Sequence, residues 1–425
     1  MVGFILLHRT PFFINPSVSE GLPRGNGPLS RGTGTMKRAR AFLFLGLAII
    51  SGLGFSQDTS KPAWRGRVES ETGIPVVKNP ADPVFGVRPL ELAEDLTLGN
   101  DNDKNQFFYK IRAVKTDRDG NIFVLDSGNF RIQVFDKNGR FIRSMGRQGQ
   151  GPAEFQLPVS MELNGTTGRL FVHDVMTQSL AIFEKDGVFQ RFMHIPSCRD
   201  FVPLNDDGAL AVVGMSSDAE LTAHHLLCLL APDGKIKETF TSARHNLFME
   251  HSGEATSAIS TGHELSLFLS RIDDQTFVYG YSKNYALTII DQAGKTVRRF
   301  DTEAPKPAFT AEELKSFRRI PVPEQKPYFY ALLADSEGRI YVRKISIEGI
   351  RGRGPIDLKP VAVDVFSKDG YYLFNTTLPP NTGQIRDGMI YCYTLNEGSG
   401  EERVKRLKIK NWPDLPTGIS RQQFP

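Results

Sequence analysis

Apolar and polar residues alternate in short runs along most of the chain, and tight turn signals separate these runs. Residues 122–125 (Ile-Phe-Val-Leu) and 131–135 (Arg-Ile-Gln-Val-Phe) are two examples. They lie between the turn pairs Asp119-Gly120 and Asn138-Gly139, which are 19 residues apart. Because Xaa-Gly pairs supply the positive φ that two-residue hairpins need, the pattern predicts successive antiparallel strands.

This unit of strands and turn pairs occurs six times along the chain. The later turn pairs are Thr167-Gly168 with Asp186-Gly187, Asp207-Gly208 with Asp233-Gly234, Asp274 with Ala293-Gly294, Glu337-Gly338 with Asp369-Gly370, and Asp387-Gly388 with a turn near residues 398–400. Four antiparallel strands repeated every 40–50 residues or so are typical of propeller blades. We therefore predict an all-β fold, a six-bladed β-propeller of four-stranded antiparallel blades.

A ring of blades must close, or it leaves two bare sheet edges. The sixth unit supplies strand-like residues 389–394 and 403–410 but no outer strand, whereas residues 91–98 form a strand-like run without a partner. We predict that this N-terminal strand completes the last blade, so that residues 89–425 form the propeller. Residues 57–88, which are rich in proline and poor in strand signals, are predicted to be a linker, and the tail after Trp412 to be irregular.

Residues 36–56 have the order of a secretory signal peptide. Basic residues 37–40 precede an apolar run at 41–53, which is too short to span a membrane, and small residues precede a cut before Gln57. Residues 1–35 are interpreted as a misassigned upstream extension. The alternative is that Met1 is the true start and residues 42–55 are a short uncleaved anchor. We expect export to the periplasm or the extracellular space, with no stable membrane span after signal removal.

The net charge of +4 comes from the leader. Residues 1–56 hold six basic groups and one acid, so the remainder has 52 − 6 = 46 basic and 48 − 1 = 47 acidic residues. A nearly neutral body gives no reason to expect nucleic acid as a partner.

The sequence points to no metal and no cofactor. GxSxG, HExxH and P-loop patterns are missing, and His245, His251 and His263 are irregularly spaced in one long loop. Cys198, Cys228 and Cys392 lie far apart, so at most one disulfide could form, and buried thiols are the simpler interpretation.

Two segments resemble the NHL repeat. They are residues 119–126 (Asp-Gly-Asn-Ile-Phe-Val-Leu-Asp) and 129–136 (Asn-Phe-Arg-Ile-Gln-Val-Phe-Asp), followed by 139–146. Residues 146–155 with Pro158 resemble the inter-blade segment of bacterial six-bladed propellers. The resemblance implies a propeller whose relatives are mostly scaffolds, with a few lyases and lactonase-like enzymes.

In this repeat, Asp126, Asn129 and Arg131 stand where the family places loop-fixing polar residues, and Asp174 takes the place of Asp126 in the second unit. A carboxylate that accepts backbone N–H bonds stabilises a turn, so a structural role is expected. The alternative is a ligand site at the mouth of the channel.

The up-and-down strand order places all tight turn pairs on one face of the ring. The long segments, residues 147–158, 216–225, 243–263, 302–327 and 346–360, fall on the opposite face. Long loops on a rigid scaffold usually carry binding. Within one of them, Thr310-Ala-Glu-Glu313 is a capping box that predicts a short helix.

Two basic pairs are predicted to meet on this face beside blade five. They are Arg318 with Arg319 and Arg351 with Arg353, whose guanidinium groups suit carboxylate, phosphate or sulfate ligands. The alternatives are a solvated surface or a salt-bridge network with Glu348 and Asp357.

These features together predict a non-catalytic binding or scaffold propeller that engages a peptide, glycan or protein partner with its long-loop face. The alternative is a metal-assisted enzyme, lyase or lactonase-like, that uses the central channel. Such an enzyme needs several inward-pointing ligands that converge on one ion, and the sequence identifies no such set.

Overall fold

The structure is a computed structural model that describes residues 63–425 except 196, 218–221, 247, 253–254, 260–264, 317–321, 323–324, 345–358, 397–398, 421–422 and 425. For residues 215–217, 222–223, 245–246, 248–252, 255–259, 312 and 316 it describes the backbone only.

Three strands precede the first blade: β1 (Arg67–Glu71), β2 (Ile74–Asn79) and β3 (Leu92–Leu98). Blade one comprises β4 (Ile111–Thr116), β5 (Ile122–Asp126), β6 (Arg131–Phe135) and β7 (Phe141–Met145). The short parallel pair β8 (Arg147–Gln148) and β9 (Glu154–Phe155) leads to blade two, which comprises β10 (Pro158–Leu163), β11 (Leu170–Asp174), β12 (Ser179–Phe183) and β13 (Phe189–His194). Blade three comprises β14 (Cys198–Pro203), β15 (Ala209–Ser217), β16 (Thr222–Leu230) and β17 (Ile236–Asn246).

A hairpin, β18 (Phe248–Ser252) and β19 (Ala255–Ile259), separates blades three and four. Blade four comprises β20 (Leu267–Arg271), β21 (Thr276–Tyr281), β22 (Ala286–Asp291) and β23 (Thr296–Thr302). Helix α1 (Ala311–Ser316) follows, and then blade five with β24 (Ala331–Ala334), β25 (Ile340–Arg343), β26 (Val361–Phe366) and β27 (Tyr372–Leu378). Blade six comprises β28 (Thr382–Arg386), β29 (Met389–Leu395) and β30 (Glu402–Ile409) together with β3.

The predicted six-bladed propeller is confirmed. The innermost strands contact one another in the cyclic order β4, β10, β14, β20, β24, β28 and back to β4. Blade six is completed by β3, which pairs antiparallel with β30 and places Leu98 opposite Val404. The N-terminal strand therefore closes the ring, as the unpaired run in the sequence predicts.

The turn chemistry explains why the strands reverse where they do. The Asp136 carboxylate accepts bonds from the amides of Asn138 (2.8 Å) and Arg140 (2.9 Å), while Gly139 takes a φ of 82°. The third unit differs, because Asp207 rather than Gly208 adopts the left-handed conformation there. Aspartate tolerates this conformation better than most residues, so the turn is kept.

The core lies between the blades. Leu125 and Ile132 of blade one pack in one buried cluster with Met161 and Val172 of blade two. Each sheet is therefore covered on both faces by its neighbours, which explains why the middle strands are apolar on both sides.

The prediction of a linker at residues 57–88 is wrong for its described part. Strands β1 and β2 form a hairpin, and β2 pairs in parallel with β23, which extends blade four to six strands. Residues 84–88 then run along β27, where the Phe85 amide donates to the Leu373 carbonyl (2.8 Å). Residues 64–98, here called the N-terminal belt, thus cover the outer edges of blades four, five and six.

The tail after Trp412 has little regular secondary structure, as expected, but it packs against the propeller. Leu415 is buried, and the Trp412 indole lies 3.9 Å from the Arg339 guanidinium. The predicted helix is confirmed as α1, because the Thr310 amide donates to Glu313 (2.7 Å) and the Glu313 amide to the Thr310 hydroxyl (3.2 Å).

Candidate functional site

The first strand of each blade lines a central channel, and polar side chains on these strands join one blade to the next. Lys115 of blade one pairs with Glu162 of blade two (Nζ–Oε1 2.5 Å). Gln384 of blade six accepts the Thr116 amide of blade one (2.6 Å). These polar groups are therefore used as clamps between blades.

Asp200 forms the corresponding clamp between blades three and four. Its Oδ2 accepts the Leu269 amide (3.1 Å) and its Oδ1 the Phe201 amide (2.9 Å). Burial raises the pKa of this carboxyl group to about 7, and the negative charge of Glu162 adds to the rise, whereas the two amides and Lys115 lower it. No motif in the sequence indicates this site, since Asp200 lies in a strand with a shift of register.

Replacing Asp200 with asparagine is expected to stabilise the protein at pH 8 but not at pH 5. The folded-state pKa near 7 lies above the unfolded value of about 3.9, so stability falls as pH rises through this window. Three pKa units set an upper limit of about 4 kcal/mol. Urea unfolding at both pH values measures the effect.

The control for this experiment is Asp233→Asn, because Asp233 is exposed and its pKa is lowered by Lys235. It should not stabilise the protein at pH 8. A difference between wild type and Asp200→Asn that stays constant from pH 5 to 8 would contradict the assignment.

The channel mouth on the short-turn face is crossed by an ion pair. Arg118, in the first turn of blade one, donates to Asp274, in the first turn of blade four (Nη2–Oδ2 2.8 Å). Blades one and four lie opposite each other in a ring of six, so the pair spans the opening. Gly165 of blade two is also close, since a Cβ there would lie 3.2 Å from Asp274 Oδ1. This side of the channel is obstructed.

On the long-loop face, Asp126 organises the mouth next to blade one. It is fully buried, and it accepts bonds from the Tyr109 amide (2.8 Å), Asn129 Nδ2 (2.9 Å) and Arg131 Nε (2.8 Å). Arg131 also donates to the Phe107 carbonyl (2.8 Å). The structure therefore brings these three predicted residues together around the connection into blade one.

Asp174 plays the same part in blade two. Its carboxylate accepts the amides of Gln156 (2.6 Å), Leu157 (2.9 Å), Met176 (3.0 Å) and Thr177 (3.2 Å). These contacts are those of a loop-fixing residue. They favour the structural role over the ligand role for both aspartates.

Exposed apolar side chains lie on the loops that Asp126 and Asp174 stabilise. Phe107 is 44% exposed, Tyr109 48% and Met176 61%. Lys110 Nζ lies 4.9 Å from the centre of the Tyr109 ring, and a Cβ at Gly128 would lie only 2.3 Å from that ring, so glycine is required there. This surface is not among the sites predicted from the sequence, although the apolar run Phe107-Phe108-Tyr109 between polar residues was a signal for it.

Several predicted sites lie outside the described residues. Arg318, Arg319, Arg351 and Arg353 are among them, and so are His263 and the side chains of His245 and His251. Cys198, Cys228 and Cys392 are free and buried, and burial raises the pKa of all three thiols, to about 11 for Cys228. Buried thiols were the simpler interpretation, and it is confirmed.

In the part of the chain that the structure describes, no three His, Cys, Asp or Glu side chains are grouped so as to hold a metal ion. No helix of that part is long and apolar enough to cross a membrane.

The ring of blades and the channel define a six-bladed β-propeller whose inner polar residues clamp adjacent blades. More specifically, the chain belongs to a family described as a domain of unknown function, DUF4934, whose model matches residues 103–342. No curated protein matches the chain.

Several solved structures are similar to it. One is a Bacteroides fragilis protein named as a candidate exported protein, with 11% identity, a TM-score of 0.47 and coverage of 79% of this chain and 99% of the other. Another is a DUF4221 family member from Bacteroides vulgatus, with 10% identity, a TM-score of 0.45 and coverage of 76% and 99%. A third is virginiamycin B lyase from Staphylococcus aureus, with 12% identity, a TM-score of 0.39 and coverage of 75% and 99%.

Proposed function

We propose that this protein is an exported, non-catalytic propeller that binds a peptide, glycan or protein partner on its long-loop face. The observation that carries the proposal is the difference between the two channel mouths. The Arg118–Asp274 pair obstructs one mouth, whereas the other presents exposed Phe107, Tyr109 and Met176 on loops already fixed by buried carboxylates. Aromatic anchors that are ordered before binding lose little entropy when a partner docks.

Export rests on the signal-like order of residues 36–56, with removal before Gln57. Residues 1–35 are proposed to be dispensable for export. The assignment of the first two blades to the NHL type rests on Asp126, Asn129 and Arg131 and on the equivalent Asp174.

The non-catalytic assignment rests on how the channel uses its polar groups. Lys115, Glu162, Asp200 and Gln384 are engaged in clamps between adjacent blades. The second candidate, a metal-assisted lyase or lactonase-like enzyme, is supported by one feature, the two carboxylates of Glu162 and Asp200 on neighbouring inner strands. If it is correct, a chelator should lower the melting temperature, whereas a binding propeller should be indifferent to it.

Truncating Phe107 to alanine is expected to weaken binding of any ligand identified on glycan and peptide arrays by about tenfold or more, while the melting temperature changes little. The side chain is exposed, and it is the carbonyl of Phe107 that Arg131 holds. Isothermal titration of wild type and variant measures the loss. The matched control is Phe192→Ala, an exposed phenylalanine on the outer strand of blade two.

Equal losses in the two variants would move the binding surface away from the long-loop face. Unchanged affinity in Phe107→Ala and in the double variant with Tyr109→Ala would remove this mouth as the site.

A further inference from the structure

The outer edges of the blades are not treated alike. On blades four and five, the N-terminal belt lies along the outermost strand, and on blade four β2 does so as a regular parallel strand with Val76 opposite Arg299. In blade six the belt itself supplies the outermost strand, β3. In blades one, two and three, by contrast, the last strands β7, β13 and β17 each pair only with the preceding strand among the described residues.

The bare edge of β7 continues directly from the belt. The third turn of blade one packs against β3, since a Cβ at Gly139 would lie 2.9 Å from Leu96 and 3.0 Å from Leu98. The belt therefore reaches blade one at the turn from which β7 begins.

The side chains of β7 are unusual for an uncovered edge. Phe141 and Ile142 are exposed, and Val188 of blade two, exposed as well, follows Gly187, whose position touches Arg143 and Met145 of β7. Natural proteins usually guard such edges with charge, as this chain does on β1, which reads Arg-Val-Glu-Ser-Glu. An exposed apolar edge is instead typical of a surface that receives a strand.

Basic side chains flank the start of this edge, whereas Glu184 and Asp186 lie beside Arg143 towards its other end. Lys137, Arg140 and Arg143 flank β7, and the nearby Asp136 carboxylate is occupied by two turn amides. Arg143 donates Nη2 to the Lys185 carbonyl (2.7 Å), but its buried Nε has no acceptor among the described residues.

We propose that the β7 edge of blade one binds an extended segment of a partner protein, which adds as a strand in the way that β2 adds to β23. The segment carries apolar residues that cover Phe141, Ile142 and Val188, and acidic residues at its ends that face Lys137, Arg140 and Arg143. This interaction is separate from the long-loop face, so its test does not depend on the function proposed above.

The probe is a short synthetic peptide in which valine and threonine alternate between terminal glutamates. Titration into the full chain should give saturable binding. A lysine-ended version should bind about tenfold more weakly or worse, because its ends meet like charges. A version with methylated backbone nitrogens should not bind, because it cannot form the ladder.

The protein variant is Ile142→Ser, which removes one apolar contact from an exposed position and should weaken peptide binding by about tenfold without changing the melting temperature. Its matched control is Val297→Ser, an equally exposed apolar residue on β23, whose outer edge the belt covers. The control should bind as the wild type does.

Lack of saturable binding, equal binding of the methylated peptide, or equal loss in the control would overturn the proposal. Sedimentation analysis provides a further check. Self-association of the wild type that Ile142→Ser abolishes would assign the edge to a second copy of this chain and overturn the assignment to a partner.

Discussion

A protein that begins at Leu90 instead of Ala63 is expected to lose about 5 kcal/mol or more of stability, although β3 is still present to close the ring. The missing segment contains Trp64, Val76 and Val77, all buried, and each such side chain contributes about 1.5–3 kcal/mol. It also contains Asn79, whose amide bridges Asp301 of blade four (3.0 Å) and Gly370 of blade five (2.8 Å). Denaturant unfolding of the two proteins measures the difference.

A third protein, which begins at Asn100, distinguishes the stability contributed by the belt from that contributed by closure of the ring. It lacks β3 as well, so that β30 becomes an unpaired edge, and we expect aggregation rather than a lower melting temperature alone. If the protein beginning at Leu90 were as stable as the one beginning at Ala63, the belt would be only a covering and not part of the fold.

Replacing Arg339 with alanine is expected to cost about 3–5 kcal/mol, among the largest effects of any single substitution in this chain. Arg339 and Asp335 are both fully buried as side chains and form an ion pair (Nε–Oδ2 2.7 Å). Arg339 also donates to the Leu415 carbonyl (3.1 Å) and lies over the Trp412 ring. Its removal leaves a buried carboxylate without a cation and releases the tail after blade six.

The loss should depend on pH. Burial already raises the pKa of Asp335, and Arg339 opposes that rise, so in the variant the carboxyl group takes up a proton at milder acidity. The destabilisation should therefore be larger at pH 8 than at pH 5, as measured by urea unfolding. The double variant with Asp335→Asn is the control and should recover part of the stability, and a loss that is the same at both pH values would argue against an ion-pair origin.

The blades could be predicted from the sequence because each of their signals is local. Turn pairs such as Asn138-Gly139 and the alternating runs beside them act within a few residues. Closure by β3 was predictable for a related reason, since a strand-like run without a neighbour must pair elsewhere. The fold of the first two blades followed most readily because their turns are the most regular.

The hairpin of the belt gave no such signal. Pro75 lies within β2, and β1 is largely exposed and charged, so neither strand has the alternation expected of a buried sheet. Proline is tolerated here because β2 lies near the edge of its sheet. The strand that receives β2 is more than two hundred residues away in the sequence, and no local pattern indicates such a partner.

The contacts of the channel could not be predicted from the sequence, because they too join residues that are far apart in the chain. Arg118 and Asp274 lie in ordinary turns of different blades, and only the ring brings them together. Asp200 depends on a shift of register between Cys198 and Asp200, which directs its carboxylate towards blade four. Residue type alone does not reveal such a shift.

The N-terminal belt and the tail meet at one place on the rim. The Trp64 amide donates to the Gln423 carbonyl (2.8 Å), and the Phe424 ring packs against Trp64 and Tyr371. A short peptide link between these ends should therefore permit circular permutation, with new ends at a surface turn such as Asn138-Gly139. Blade six would then be formed from one continuous stretch of chain and blade one from two. In the permuted protein, the two ends of the chain would therefore meet in blade one instead of blade six, so blade one would close the ring. Neither mouth of the channel would change.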